Sequence, residues 1–169
     1  MNIVVQVEPS SRTPAEVEVD YRWDPDTDIL TANCRNKSIG EGMSGSVELA
    51  GSDGSWLILD VRSGSINGVE VAVWPDVRKV RALQPPDAAE DARLVVSPRK
   101  PPRGVAAIEV DTALTAEADQ AERTIHFKVG SHRPQRTVRI GRDILIEVDE
   151  ASRIAGVWLL NVPPFPADA

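Results

Sequence analysis

Two histidines, His126 and His132, are the only imidazoles in the chain. An imidazole near neutral pH serves as a metal ligand or as an acid–base group. His126 alternates with Ile125 and Phe127, which places it on the outer face of a strand. His132 falls in a polar loop. A zinc site needs more ligands than two histidines, drawn here from Asp or Glu, and no metal-binding spacing is present. No metal is therefore expected. A Ser-His-Asp set is assembled in space and stays open to such a chain, but the G-x-S-x-G nucleophile elbow is missing. Cys34, the single cysteine, reads as a small buried strand residue rather than a nucleophile. Alone, it excludes a disulfide framework and a multi-cysteine zinc site.

Two further patterns carry chemistry elsewhere. Residues 40–45, GEGMSG, fit G-x-G-x-x-G. A dinucleotide fingerprint needs a strand before it and a helix after it, so that amides and dipole meet the pyrophosphate. Here SVELAG follows, which is strand text, so the glycines make a hairpin loop and no cofactor is expected. Asp24, Asp26 and Asp28 have the opening spacing of a calcium loop. That loop continues with Gly and ends on a bidentate Glu, where this chain has Ile29 and Arg35. An Asx-stabilised turn is the simpler reading. Arg133, Arg136, Arg139 and Arg142 form one basic stretch, and Arg99, Lys100 and Arg103 another. They read as solvated loops in an acidic protein, with a local anion site as the alternative. Trp23, Trp56, Trp74 and Trp158 read as core and inter-sheet packing; exposure of Trp74 or Trp158 would instead mark an interface.

These residues need a framework, and the bulk numbers bound it. A chain of 169 residues with 41% hydrophobic residues suits one globular domain or two small ones. A net charge of -7 opposes nucleic acid and anionic membrane as partners, since both need a basic field. The opening MNIVVQVEP has no basic region and only a short apolar run. It reads as neither signal peptide nor anchor, which points to a reducing, cytoplasmic setting.

Period-two runs dominate the pattern. Strands are expected at 3–7, 17–34 (a hairpin with its turn at 24–28), 46–49, 56–61 and 69–73. Pro75 opens an expected short helix over 75–83, and 86–93 reads as one more helical turn. The text then repeats. LVV at 94–96 follows IVV at 3–5, IEVD at 108–111 follows VEVD at 17–20, VRI at 138–140 follows VEL at 47–49, and LIEV at 145–148 follows LILD at 57–60. The I-x-G-V of 66–69 returns at 154–157, where Gly68 and Gly156 read as turn entries. Ile125, Phe127 and Val129 stand for Leu30, Ala32 and Cys34, after a longer loop at 111–122. The expectation is a tandem duplication: residues 1–83, a linker at 84–92, and residues 93–169. Each half would be an antiparallel unit of about six strands. The two would pack across a pseudo-two-fold as a β-sandwich or partly closed double sheet with little helix.

WDPDTDIL at 23–30 and WLILDVRSGSINGVEV at 56–71 resemble the domain of unknown function 2283. Its members are similar to YDPEADALYI followed by GVILDYDEDGNLVGIEIL. The resemblance covers residues 21–80, with Trp23 in place of the family's Tyr. In the second half LTAEAD at 114–119 lacks the Pro of the first motif. The resemblance implies a compact β fold and no established activity.

No convergent catalytic set is legible. The primary reading is a non-catalytic module that binds a partner or self-associates, with exposed edge strands favouring a homodimer. The alternative is a small-molecule binder or hydrolase-like enzyme with its site in the loops 36–45 and 130–136, at Glu41, Ser44, His132 and Arg136.

Overall fold

A computed structural model describes residues 4–10, 13–35, 44–87, 89–97 and 107–166. Fifteen strands account for most of them. In chain order they are β1 (Val4–Glu8), β2 (Val19–Trp23), β3 (Leu30–Cys34), β4 (Gly45–Gly51), β5 (Trp56–Arg62), β6 (Ser65–Val73), β7 (Val77–Lys79) and β8 (Glu90–Asp91). There follow β9 (Arg93–Ser97), β10 (Ala107–Thr112), β11 (Leu114–Ala118), β12 (Ile125–Val129), β13 (Pro134–Gly141), β14 (Ile144–Asp149) and β15 (Ile154–Leu159). One 3₁₀ turn, Pro14–Glu16, precedes β2. The protein is mainly β, as its alternation predicts, and among the described residues no helix is long and apolar enough to cross a membrane.

The strands form two mixed sheets that share one apolar cluster. The first has eight strands. It runs β1-β9-β6-β5-β4-β10, with β3 on β6 and β2 on β3. The second has seven and runs β7-β11-β12-β15-β14-β13-β8. Leu57, Leu59 and Val61 of β5 turn inward, as do Leu30, Ala32 and Cys34 of β3. Opposite them stand Ile125, Phe127 and Val129 of β12 and Ile144, Ile146 and Val148 of β14. Alternation with period two sends one residue in two to this interior.

The same five-strand pairing occurs in both sheets. In the first, β2 pairs β3, β3 pairs β6, β6 pairs β5 and β5 pairs β4, all antiparallel. In the second, β11, β12, β15, β14 and β13 pair in that order, again antiparallel. The β5–β6 hairpin closes on Ser63 and Gly64, both at positive φ (52° and 83°). That is the two-residue turn whose twist suits antiparallel strands. The turn after β2 rests on Asp24, whose Oδ1 accepts from the Asp26 amide at 3.0 Å. After β11, Asp119 Oδ1 accepts from the amides of Arg123 and Thr124. Both turns thus rest on an Asp side chain, the second without a Pro.

Other expectations are corrected. Among their described residues the segments 75–83 and 86–93 hold no helix. They contribute β7, parallel to β11, and β8, parallel to β13. A short run flanked by prolines gains more from capping an open sheet edge than from a helix too short to nucleate. Pairing is not wholly antiparallel, because β10 also lies parallel to β4. Each parallel partner arrives by a long connection, which parallel pairing requires. The loop expected at 111–122 is largely β11, whose Leu114, Ala116 and Ala118 are buried. Both sheets draw strands from both sides of residues 84–92, and that segment itself supplies β8. Gly68 and Gly156 enter no turn; they sit inside β6 and β15, where a neighbouring carbonyl and side chain come too close for a Cβ.

Candidate functional site

The second sheet is buried on both faces at its centre. All of β14 except Asp149 and all of β15 except Ile154 are buried. Inward residues account for half of this. Leu145 and Trp158 are buried as well, yet they stand outside the inter-sheet cluster. They belong to the opposite face of the sheet, and so do His126 and Glu147 by the same alternation. The ladder sets His126 opposite Trp158, Trp158 opposite Leu145, and Glu147 opposite Gly156.

Glu147 is only 3% exposed and His126 5%. A carboxylate so placed needs partners, since burying an uncompensated charge is costly. It has two. His126 Nε2 lies 2.5 Å from Glu147 Oε1, and His132 Nε2 lies 3.0 Å from the same oxygen. His132 reaches it from the turn after β12. Its amide donates to the Val129 carbonyl at 3.2 Å, and its φ is +49°. That left-handed turn folds the imidazole back over the sheet. The two rings meet edge to face, 4.9 Å between centroids. Burial pushes the Glu147 carboxyl up. The hydrogen bonds from His126 and His132, with their charge, outweigh that and hold it below the usual carboxylate range.

Two features fix the group. The Trp158 indole lies flat on His126, 3.8 Å between centroids and 9° from parallel. Gly156 leaves room for the carboxylate, because a Cβ there would stand 2.1 Å from Glu147 Oε1. Trp158 Nε1 is buried and has no hydrogen-bond partner among the described residues.

His132 also lines a cleft of about 190 Å³ where the sheets meet. Val47 and Leu49 of β4 and Val110, Asp111 and Thr112 of β10 supply the wall from the first sheet. Ser131, Arg133 and Arg153 line it from the second. Asp149 and Arg153 are bound to each other, Nε to Oδ2 at 3.1 Å. Arg133 makes no ion pair or hydrogen bond among the described residues.

Of the four loop candidates Glu41, Ser44, His132 and Arg136, His132 alone is here; His126, Trp158 and Arg133, singled out on other grounds, are here as well. Glu41 lies outside the described residues. Ser44 Oγ accepts from the Ser63 amide at 3.2 Å and does not line the cleft. Arg136 is on β13 rather than in a loop, and forks onto Glu90 of β8 at 2.9 and 2.8 Å. Arg139 and Arg142 likewise face Asp91 and Glu18, so this arginine stretch balances acids along the edge. Asp24 makes the Asx turn with the Asp26 amide, and the Asp28 amide donates to the Asp24 carbonyl. Glu147 and His126 were not read from sequence as partners, although Glu147 is the one polar residue of LIEV and His126 one of two in IHFKV. No family model matches the chain and no curated protein matches it as a relative, so what the protein does rests on the geometry of this cleft and the carboxylate–histidine group beside it.

Proposed function

We propose that this chain is a non-catalytic binding module that takes a small carboxylate in the cleft between its sheets. The observation that carries the reading is the cleft itself, which is lined from both sheets and includes the uncommitted Arg133. Arginine meets carboxylate through two parallel N–H donors. Val47, Leu49, Val110 and Ile154 give an apolar wall for a short tail. About 190 Å³ is below the roughly 300–1,000 Å³ of pockets for drug-sized molecules, which sets the ligand's size. Against catalysis, neither histidine hydrogen-bonds a hydroxyl or thiol among the described residues. Titration with acetate through hexanoate, followed by amide NMR shifts, tests it. Shifts are expected in residues 110–112 and 129–133, with affinity falling about tenfold or more in Arg133→Ala. Shifts scattered over the surface, or unchanged affinity in Arg133→Ala, would end the reading.

A second reading, self-association, has its own support. Trp56 and Val73 are paired across β5 and β6 and are 38% and 45% exposed. Exposed aromatic and β-branched pairs of this kind suit a homodimer contact. Sedimentation equilibrium would show a dimer that Trp56→Ser converts to monomer; a monomer at high concentration would exclude it. The matching strand orders of the two sheets support a tandem duplication as the origin of the fold.

A further inference from the structure

Beside the cleft, His126, His132 and Glu147 have a use that hydrogen bonding does not exhaust. Their ligand atoms all lie within 4.8 Å of one another. Zinc binds imidazole nitrogen and carboxylate oxygen at about 2.0–2.2 Å, which separates tetrahedral ligands by roughly 3.3 Å. Small side-chain rotations therefore bring the three atoms around one ion. We propose that His126, His132 and Glu147 form a binding site for a divalent transition ion of the zinc class, entered past His132.

The donor set favours that class. Two imidazoles and one carboxylate suit zinc, cobalt, nickel or copper, whereas calcium and magnesium take oxygen ligands. Two histidines and one glutamate with a fourth position left open are also the ligand count of an accessible zinc site. Both Nε2 atoms converge on one oxygen, so an ion uses the lone pairs that now share hydrogens. The charge balance improves as well, because a dication neutralises the buried carboxylate without a protonated imidazole. Nearby Lys128 does not compete for that role, since its ammonium is spent on Glu117, which also holds Arg78.

The surroundings are those of a supported site. Second-layer contacts orient metal ligands and tune their affinity. Here Trp158 holds the His126 ring by stacking, and the absent side chain of Gly156 seats Glu147. The entry is defined too. Side-chain exposure is 6% for His126, 4% for Glu147 and 24% for His132. His132 is therefore the ligand that meets solvent and swings to admit the ion.

The test uses the full chain, without a histidine tag and stripped by chelator. Titration with Co²⁺ is followed by visible absorption and by tryptophan emission. One ion per chain is expected, displaced by Zn²⁺, with emission quenched through the indole stacked on His126. Trp158→Phe should remove most of the quenching and keep the absorption band. His132→Asn is the ligand variant, because Asn tolerates a positive φ and lacks the imidazole. It should weaken binding by about 100-fold or more. Circular dichroism checks its fold, and Glu147→Gln provides a second ligand variant. Arg133→Ala should leave Co²⁺ binding unchanged, which separates this site from carboxylate binding in the cleft. No saturable band below millimolar Co²⁺, or a band unaltered in both His132→Asn and Glu147→Gln, overturns the proposal.

Discussion

Gly156 lies directly across the β14–β15 ladder from Glu147, and the space its missing Cβ would fill is the space Glu147 Oε1 occupies. A Cβ there would stand 2.1 Å from that oxygen and 2.9 Å from the Phe127 carbonyl. The glycine is thus a matter of clearance, with no unusual backbone angle involved. The carboxylate side chain could swing aside, but the carbonyl belongs to the neighbouring strand. Gly156→Ala should cost about 1–3 kcal/mol in urea unfolding, the range for overpacking a close-fitted interior. It should also shift the ring signals of His126 and His132 in NMR. Full stability with unshifted rings would mean that the strands separate easily at this point.

Acid should weaken the protein through the same carboxylate. Glu147 is held below its unfolded value, so its contribution is present above the unfolded pKa of about 4.3 and is lost as pH falls through the folded one. The stability gap between the parent and Glu147→Gln should therefore narrow as pH falls below about 4. Urea midpoints measured in chelator across that range check it. A gap that stays constant to pH 2 would contradict the direction.

The thiol of Cys34 should be inert in the folded protein. Burial, helped by the negative charge of Asp60, pushes it up to about 12. Its Sγ faces the Ile140 carbonyl at 3.6 Å. Since only the thiolate is nucleophilic, iodoacetamide at pH 8 should react at least about 100-fold more slowly than with a free thiol. Mass spectrometry would show one adduct appearing only in denaturant. Fast labelling without denaturant would mean that β3 opens locally.

Tyr21 and Trp23 should hold down the segment after β15. The Tyr21 hydroxyl donates to the Leu160 carbonyl at 2.6 Å, and Trp23 Nε1 donates to the Pro163 carbonyl at 2.9 Å. Tyr21→Phe should cost about 1 kcal/mol. It should speed hydrogen exchange at the amides of Leu160 and Val162 more than at the centre of β14. Uniform acceleration would assign Tyr21 a global role instead.

Sequence and structure agree where one face alone decides a strand. Leu57, Leu59 and Val61 alternate with wetter residues and turn inward as their period predicts. The site was less legible because its strands are buried twice. Period two placed His126 on the face away from the inter-sheet core, and it is there, but that face is covered as well. Alternation reports which residues share a side and is silent about what lies over it. The ligand group also joins positions 15 and 21 residues apart, through a turn whose left-handed residue is His132 itself. Pro75 reads as a helix opener, yet the prolines around 75–86 flank an extended run instead. What they could not convey was that strand edges 39 and 48 residues further on would take up the short runs between them.

The crossing of strands between the two sheets has a consequence for the order in which the molecule is made. β1 pairs with β9, and β4 pairs with β10. Domains complete on the ribosome in the order their partners emerge. β1 therefore waits for its partner until residue 97 has left the exit tunnel, and the β4 edge stays bare until residue 112 has. By then β7 and β8 have also been made, and they wait in turn for β11 and β13. Neither sheet is finished before synthesis of the other is under way, so the nascent chain gains its final shape late.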